Sequence, residues 1–212
     1  MTVRSDESLL AEWSRGDQAA GEVLVARHFP TVYRFFHNKV GHAVHDLCQR
    51  TFVACLEAKD RFEGRSSFRT FLLGIANYQL LRYLRTARRN EAKRLDAQRH
   101  SVAEFLERAP TSPTERLAKH AEHGVLLRAL RRLPLAMQLV LELRYWEELT
   151  VAEIAEVLEV PLGTISSRLG RARTSLRKTI EAHESTALAE TTLRGLERWA
   201  AEIAALADRS GS

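Results

Sequence analysis

LTVAEIAEVLEVPLGTISSRLGRARTSLRK, residues 149–178, is the stretch from which the fold of this 212-residue chain is read. Thr150 followed three residues later by Glu153 forms a capping box, in which each side chain bonds the other residue's backbone N–H, so a helix starts at Val151. Ile154, Ala155 and Leu158 share one face of it until Pro161 and Gly163 interrupt the pattern. A second helix follows at once. Ile165, Leu169, Ala172 and Leu176 recur in it at helical spacing, which turns Gly163, Ser167, Gly170, Arg171, Thr174 and Lys178 to the opposite side. The pair reads as a helix-turn-helix. An outer face of serine, threonine, arginine and lysine over an apolar inner stripe suits a DNA major groove, where arginine reads guanine and phosphate and small residues permit close approach.

Basic helical hairpins also occur in bundles that never meet nucleic acid, where the charge is merely solvated. The distribution of charge favours DNA instead: residues 142–159 hold six acidic side chains and only Arg144, whereas residues 165–178 hold five basic ones and no acidic one.

Outside this segment, composition sets bounds. With 45% hydrophobic and 28% charged residues, the chain can bury one medium core or two small ones, and two is the expectation. The net charge of +5 matters less than its clustering, since residues 61–94 carry nine basic side chains against Glu63 and Glu91. A second basic surface is therefore distinct from the first. Cys48 and Cys55 would stand about 10 Å apart on a helix, too far for a disulfide, and read as small core residues. His42, His45 and Cys48 loosely suggest a metal but lack a second cysteine pair, so the expectation is a polar loop with no metal and no cofactor. No apolar run approaches the ~20 residues of a membrane span, and MTVRSDESLL lacks a signal-peptide core, so the expected setting is the reducing cytoplasm without membrane insertion.

Apolar residues recur at spacings of three and four almost everywhere and no convincing strand is found, so the fold class expected is all-α. Short helices are expected over 6–13 and 18–28, with Pro30 allowing another to begin near Thr31 and Gly41 ending it. A helix over 44–59, with Phe52 and Leu56 in the core, precedes a polar, glycine-containing loop at 61–67. A long helix then runs from Phe68 to about Arg89. Its inner face is expected to carry Phe68, Leu72, Ile75, Gln79 and Tyr83, leaving Thr70, Gly74, Asn77, Leu81 and Arg85 outward. The expected division is a first helical domain over 1–90, a flexible linker over 91–123 containing Pro110 and Pro113 with local helix around 102–106, and a second domain over 124–182. In the second domain, helices over 125–133 and 134–146 support the helix-turn-helix, because two short helices cannot bury a core alone. Leu188, Thr192, Leu196, Trp199, Ile203 and Leu206 form a further stripe in a C-terminal extension, 183–212. That stripe either packs permanently on the second domain or docks reversibly and controls access to DNA, with Trp199 as its anchor.

Two helical domains with separate basic surfaces and a tether between them could grip two separated DNA sites. Here DLCQRTF at 46–52, RFEGRSSFRTFLLGIANYQLLRYLR at 61–85 and VPLGTISSRLGRAR at 160–173 are similar to regions two and four of the extracytoplasmic-function class of bacterial sigma factors, in the sigma-70 superfamily, in that order and over roughly residues 6–178. The resemblance implies that Asp46, Leu47, Gln49, Arg50 and Phe52 lie on the helix that docks on core RNA polymerase, whose clamp coiled coil and flap are the implied partners, with Asp46, Gln49 and Arg50 supplying the polar contacts. An acidic residue is usual where this chain has Arg50, so the charge pairing there is expected to be altered. It further implies that the loop with Arg61, Arg65, Ser66 and Ser67 captures a base flipped from the promoter's minus-ten element. Asn77 would then offer a donor and an acceptor to a base edge, with Arg85, Arg88 and Arg89 on phosphates. The plainer reading of those arginines is a solvated helix end that complements the dipole, and for Phe68 and Phe71 core packing. In region four the resemblance places Thr164, Ser166, Ser167, Arg168, Arg171 and Arg173 at the promoter DNA of the minus-thirty-five element. Ser166 and Gly170 stand where relatives often carry a basic and a larger residue, which leaves the preferred sequence open. An anti-sigma partner is also left open.

An ordinary helix-turn-helix repressor or activator would explain residues 150–178 equally well, but not the loop and helix at 61–89 with their second basic surface. The sequence shows no glycine-rich phosphate loop, metal-ligand cluster or nucleophile motif, so no enzyme activity and no catalytic residue are expected.

Overall fold

The computed structural model describes residues 4–59, 62, 64–97 and 121–183, all of whose regular elements are helices. They belong to two compact units, Met1–Pro110 and Thr111–Ser212. The expected local helix at 102–106 and the stripe from Leu188 to Leu206 lie outside the described residues.

The first unit begins with α1, Asp6–Ser14, whose start is set by Ser5: its Oγ accepts from the Ser8 N–H at 3.2 Å. A turn through Gly16, at φ 100°, leads to Asp17, which caps α2, Gln18–His37, by accepting from the Ala20 N–H at 3.2 Å. The two helices pack so closely that a Cβ added at Gly21 would fall 2.6 Å from Cδ1 and Cε2 of Trp13. Pro30 was expected to open a new helix near Thr31; instead it lies inside α2. An interior proline costs about 3 kcal/mol. Burying Val32, Phe35 and Phe36 beyond it contributes about 1.5–3 kcal/mol each, in line with Leu24 and His28 before it, so the continuous helix wins. The helix ends at His37, and Gly41 opens a short 3-10 turn, Gly41–Ala43, ahead of α3, Val44–Ala58. Leu47, Cys48, Thr51 and Cys55 are the buried side of α3. Leu56 was expected in the core and is 40% exposed instead, while Phe52 is half-buried and stacks on Phe29 with centroids 6.4 Å apart.

The long helix α4, Phe68–Ala97, packs against both α2 and α3 and runs past the expected linker boundary at 90. Two packing partners widen its buried arc to about half the circumference. Phe68, Leu72 and Gln79 are buried as expected, but so are Thr70, Leu73, Ala76, Asn77 and Leu80. The expected outward position of Asn77 is therefore corrected: it is 5% exposed, on the inner side of the helix, and Thr70 is likewise inside.

In the second unit α5, Ala121–Arg131, and α6, Leu135–Tyr145, meet at Pro134, where the Gln138 amide Nε2 donates to the Leu133 carbonyl at 2.7 Å. Then come α7, Val151–Leu158, and α8, Leu162–His183, and α8 packs on α5, α6 and α7. Leu126, Val140, Leu143, Ile154, Val157 and Ile165 centre the core. Within this unit the short helices gain the burial that two alone could not supply.

Candidate nucleic-acid interface

The helix-turn-helix is built by local chemistry at each end of α7. The Thr150 Oγ1 accepts from the Glu153 N–H at 3.2 Å and the Glu153 carboxylate accepts from the Thr150 N–H at 2.8 Å, so the capping box is complete. At the other end Glu159 takes a left-handed conformation, φ 53°, while its N–H donates back to α7 carbonyls. The Pro161 carbonyl accepts from the Thr164 N–H at 2.8 Å, and α8 is under way.

Ile165, Leu169, Ala172 and Leu176 are buried, so α8 has the orientation its pattern dictates. Ser166, Ser167, Gly170, Arg171, Thr174 and Lys178 are exposed on the other side. The Ser167 and Thr174 hydroxyls turn back to donate to the Thr164 and Gly170 carbonyls, both at 3.1 Å, and Ser166 does the same to Leu162 at 3.3 Å. These short side chains lie down on the helix and Gly170 has no neighbour within 4 Å of an added Cβ, leaving a low surface on which Arg171 is exposed, its Nε donating to the Ser167 carbonyl at 3.4 Å. A groove wall can approach such a surface closely. Arg173 is exposed but leans elsewhere, with its guanidinium 5.5 Å from the Tyr145 ring centroid on α6, and Thr164 and Arg168 are half-buried at the flanks.

In the first unit, Phe62 packs with Phe68 and Phe71 at 6.0 and 5.2 Å between centroids, tying the loop to the start of α4. Arg61 lies outside the described residues. Gly64 takes φ 67°, Arg65 is exposed and Ser66 half-buried. The Ser67 Oγ accepts from the Thr70 N–H at 3.1 Å, so this hydroxyl caps α4 as well as facing solvent. Beyond the loop the outer face of α4 presents Gly74, Tyr78, Arg82, Arg85 and Arg89, with Arg88 exposed at its edge. Tyr78, at 59% exposure, and Arg82 were missed from the sequence because the inner stripe was centred too narrowly; rotating it to include Leu73, Ala76 and Leu80 brings both to the front.

A third face lies on α3. Asp46, Gln49 and Arg50 are exposed together, and the Arg50 Nε donates to the Asp46 carboxylate at 3.0 Å. Val53 and Leu56, 50% and 40% exposed, continue that face at helical spacing as apolar side chains, Leu56 against the expectation of a core position. Buried on the reverse side, the Cys48 and Cys55 thiols are pushed up to about 12 by desolvation. His42 and His45 are exposed while Cys48 is inside, so the three do not converge. His28 is buried against Phe68, its Nε2 2.8 Å from an Asp6 carboxylate oxygen; burial lowers its pKa more than Asp6 raises it. No helix among the described residues is long and apolar enough to cross a membrane.

Comparison with known proteins matches segments that hold most of both basic faces. Residues 24–90 match the model of Sigma-70 region 2 and residues 123–176 that of Sigma-70 region 4, together more than half of the chain. The chain is 28% identical over 182 residues to the ECF RNA polymerase sigma-E factor of Haemophilus influenzae, covering 84% of this chain and 96% of that one. It is 28% identical over 190 residues to the RNA polymerase sigma-H factor of Pseudomonas aeruginosa, covering 85% and 96%. Among solved structures it resembles CnrH, determined in complex with the cytosolic domain of CnrY, with TM-score 0.57 and 27% identity over 85% of this chain and 100% of that one. The fold is also that of the sigma factor RpoE of Bartonella quintana, determined with the anti-sigma factor NepR, at TM-score 0.52 and 20% identity over 76% and 95%.

Proposed function

The chain belongs to the sigma-70 family of transcription initiation factors, in its ECF class, and from that premise we propose that three described faces divide the work of an alternative sigma factor. It binds core RNA polymerase, recognises promoters and directs initiation; it is a specificity factor and the catalysis belongs to the polymerase. The α3 face with Asp46, Gln49 and Arg50, extended by Val53 and Leu56, docks on the polymerase clamp. The α8 face with Ser166, Ser167 and Arg171 enters the minus-thirty-five groove, Arg171 reading a base and Thr164, Arg168 and Arg173 flanking it at phosphates. The loop 61–67 and the outer face of α4 act at the minus-ten element, Arg85, Arg88 and Arg89 holding phosphates of the opened strand. Asn77 drops out as a base reader, since it is buried.

The division proposed is region two over 1–90, a linker over 91–123, region four over 124–182 and an extension over 183–212. CnrH was determined with the cytosolic domain of CnrY and RpoE with the anti-sigma factor NepR; a protein partner that covers the faces described here would act as an anti-sigma factor for this chain. The working place is the cytoplasm, with the polymerase.

The observation that carries this reading is the pairing of two exposed basic helices, each in its own unit and each overlapping the matched region of the family. An ordinary repressor needs only one of them. Run-off transcription with purified core polymerase on a genomic promoter library tests it. Discrete transcripts that require the protein are expected, from promoters with two elements at a fixed spacing. Folded protein that binds duplex DNA alone and leaves core polymerase inactive on the whole library would return the repressor reading. Arg171→Ala should weaken promoter binding by about 1–3 kcal/mol if Arg171 reads a base.

A further inference from the structure

His28 is a costly residue to place where it is. It is buried on the side of α2 that meets both α1 and the start of α4, where an apolar ring could be buried without desolvating two nitrogens. Its contacts show what the polar ring adds. A carboxylate only accepts, so the His28 Nε2–H donates to the Asp6 Oδ2 at 2.8 Å, while the Asp6 Oδ1 takes the Arg27 guanidinium at 2.5 Å. With both oxygens engaged the carboxylate is held, and the imidazole with it. That ring meets the buried Phe68 in a T-shaped contact, centroids 5.1 Å apart and planes at 63°. Phe68 opens α4, and Phe62 packs on it at 6.0 Å, so the loop 61–67 is tied to this one ring near its start and joined to it by the chain at its end. An unbroken series of contacts thus runs from Asp6 to the loop. Its first member belongs to α1, which lies ahead of residues 24–90, the segment matched to region 2.

We propose that Asp6 and His28 are a positioning pair for the loop 61–67: they hold Phe68, and through it Phe62, so that the loop keeps the shape in which it captures a base of the opened minus-ten element. The proposal rests on the initiation reading above and gives α1 a part in it. Apolar packing is non-directional and lets a ring settle in more than one orientation, whereas a hydrogen bond between held groups selects one. The neutral imidazole is the form that serves. Burial disfavours its charged form more than Asp6 favours it, and Arg27 on α2 and Arg69 on α4 oppose the charge as well, so its pKa lies below the ordinary 6.5. Base capture is therefore steady above pH about 6.5 and weakens as the pH falls below it, when a proton enters the buried ring.

The test uses holoenzyme assembled from the full chain and core polymerase, and the non-template strand of the minus-ten element from a promoter recovered in the run-off screen. The strand is prepared intact and with an abasic site at each position in turn. Unmodified holoenzyme should bind the intact strand about 5- to 150-fold more tightly than the strand lacking the captured base. That ratio is the readout, because a variant that is merely less stable loses affinity for both strands alike. In Asp6→Ala and in His28→Phe, which keeps a ring against Phe68 but cannot donate to Asp6, the ratio should fall by about threefold or more. The double variant should fall no further, since both residues act through one contact. Lowering the pH from about 7.5 to about 5.5 should reduce the ratio of the unmodified holoenzyme and leave that of His28→Phe flat. Ratios within twofold of the unmodified protein in both single variants, losses that multiply in the double, or parallel pH profiles overturn the pair and leave the initiation reading standing. Unmodified holoenzyme that binds every abasic strand as tightly as the intact one overturns both the pair and the base capture it serves.

Discussion

Replacing Glu159 by glycine should stabilise the second unit without touching a single side-chain contact in its core. Glu159 ends α7 at φ 53°, a left-handed conformation that costs an L-residue about 1–2 kcal/mol and glycine almost nothing. Its side chain is exposed, and the backbone N–H that bonds back to α7 is kept in any substitution other than proline. Against the gain stands the extra freedom glycine adds to the unfolded chain, about 0.4–1 kcal/mol. The difference is a net stabilisation of about 0.5–1 kcal/mol, or a factor of about 2 to 5 in the unfolding equilibrium. Amide hydrogen exchange reads this unit by unit: the slowest amides of α8, around Leu169 and Ala172, should exchange about 2 to 5 times more slowly, and those of α2 and α4 at their former rates. Glu159→Ala keeps the left-handed cost and should leave exchange within about twofold of its original rate. Unchanged or faster exchange in Glu159→Gly, or equal slowing in Glu159→Ala, would refute the assignment of strain to this residue.

In the first unit, Gly21→Ala should destabilise by about 1–3 kcal/mol, because the new Cβ collides with the Trp13 indole; an unchanged melting temperature would show that α1 simply shifts aside. His28 has a folded pKa below its ordinary 6.5, so between the two values the unfolded chain holds a proton that the folded chain does not. Stability of that unit is therefore full above pH about 6.5 and falls as the pH drops below it; in denaturant titrations at several pH values His28→Gln should flatten that slope, and an identical slope would rule His28 out. Arg50→Glu removes an exposed i,i+4 pair and should shift stability by less than about 1 kcal/mol, yet tighten binding to core polymerase and steepen its salt dependence, by restoring the acidic residue usual at this position. Anisotropy titrations that return the same Kd would remove Arg50 from the docking face.

Legibility in the sequence followed how local the deciding chemistry was. The start of α7 depends on Thr150 and Glu153 alone, and the face of α8 on one uninterrupted stripe, so both could be read directly. The continuity of α2 through Pro30 depends on what Val32, Phe35 and Phe36 bury themselves against, which is tertiary. The face of α4 was misread for the same reason: a stripe centred between two packing partners is broader than a stripe facing one. As a result Asn77, expected outward, is inside, and Tyr78, on neither expected face, is 59% exposed. On α3 the polar half of the exposed face was legible through resemblance. Val53 and Leu56 were not, because an apolar residue at helical spacing reads as core unless the opposite side is known to be filled by Leu47, Cys48 and Cys55.

Both cysteines of the chain belong to the first unit, on the inner side of α3. With their pKa near 12, hardly any thiolate exists at neutral pH while α3 is packed, and a thiol-directed reagent finds no nucleophile. Alkylation then waits for α3 to lift away. Its rate is a stopwatch for the opening of one half of the molecule, built in without an engineered label and blind to events in the other half. It would also run differently with core polymerase bound, since a partner clasping the outer side of α3 would hold the helix down and delay the reagent.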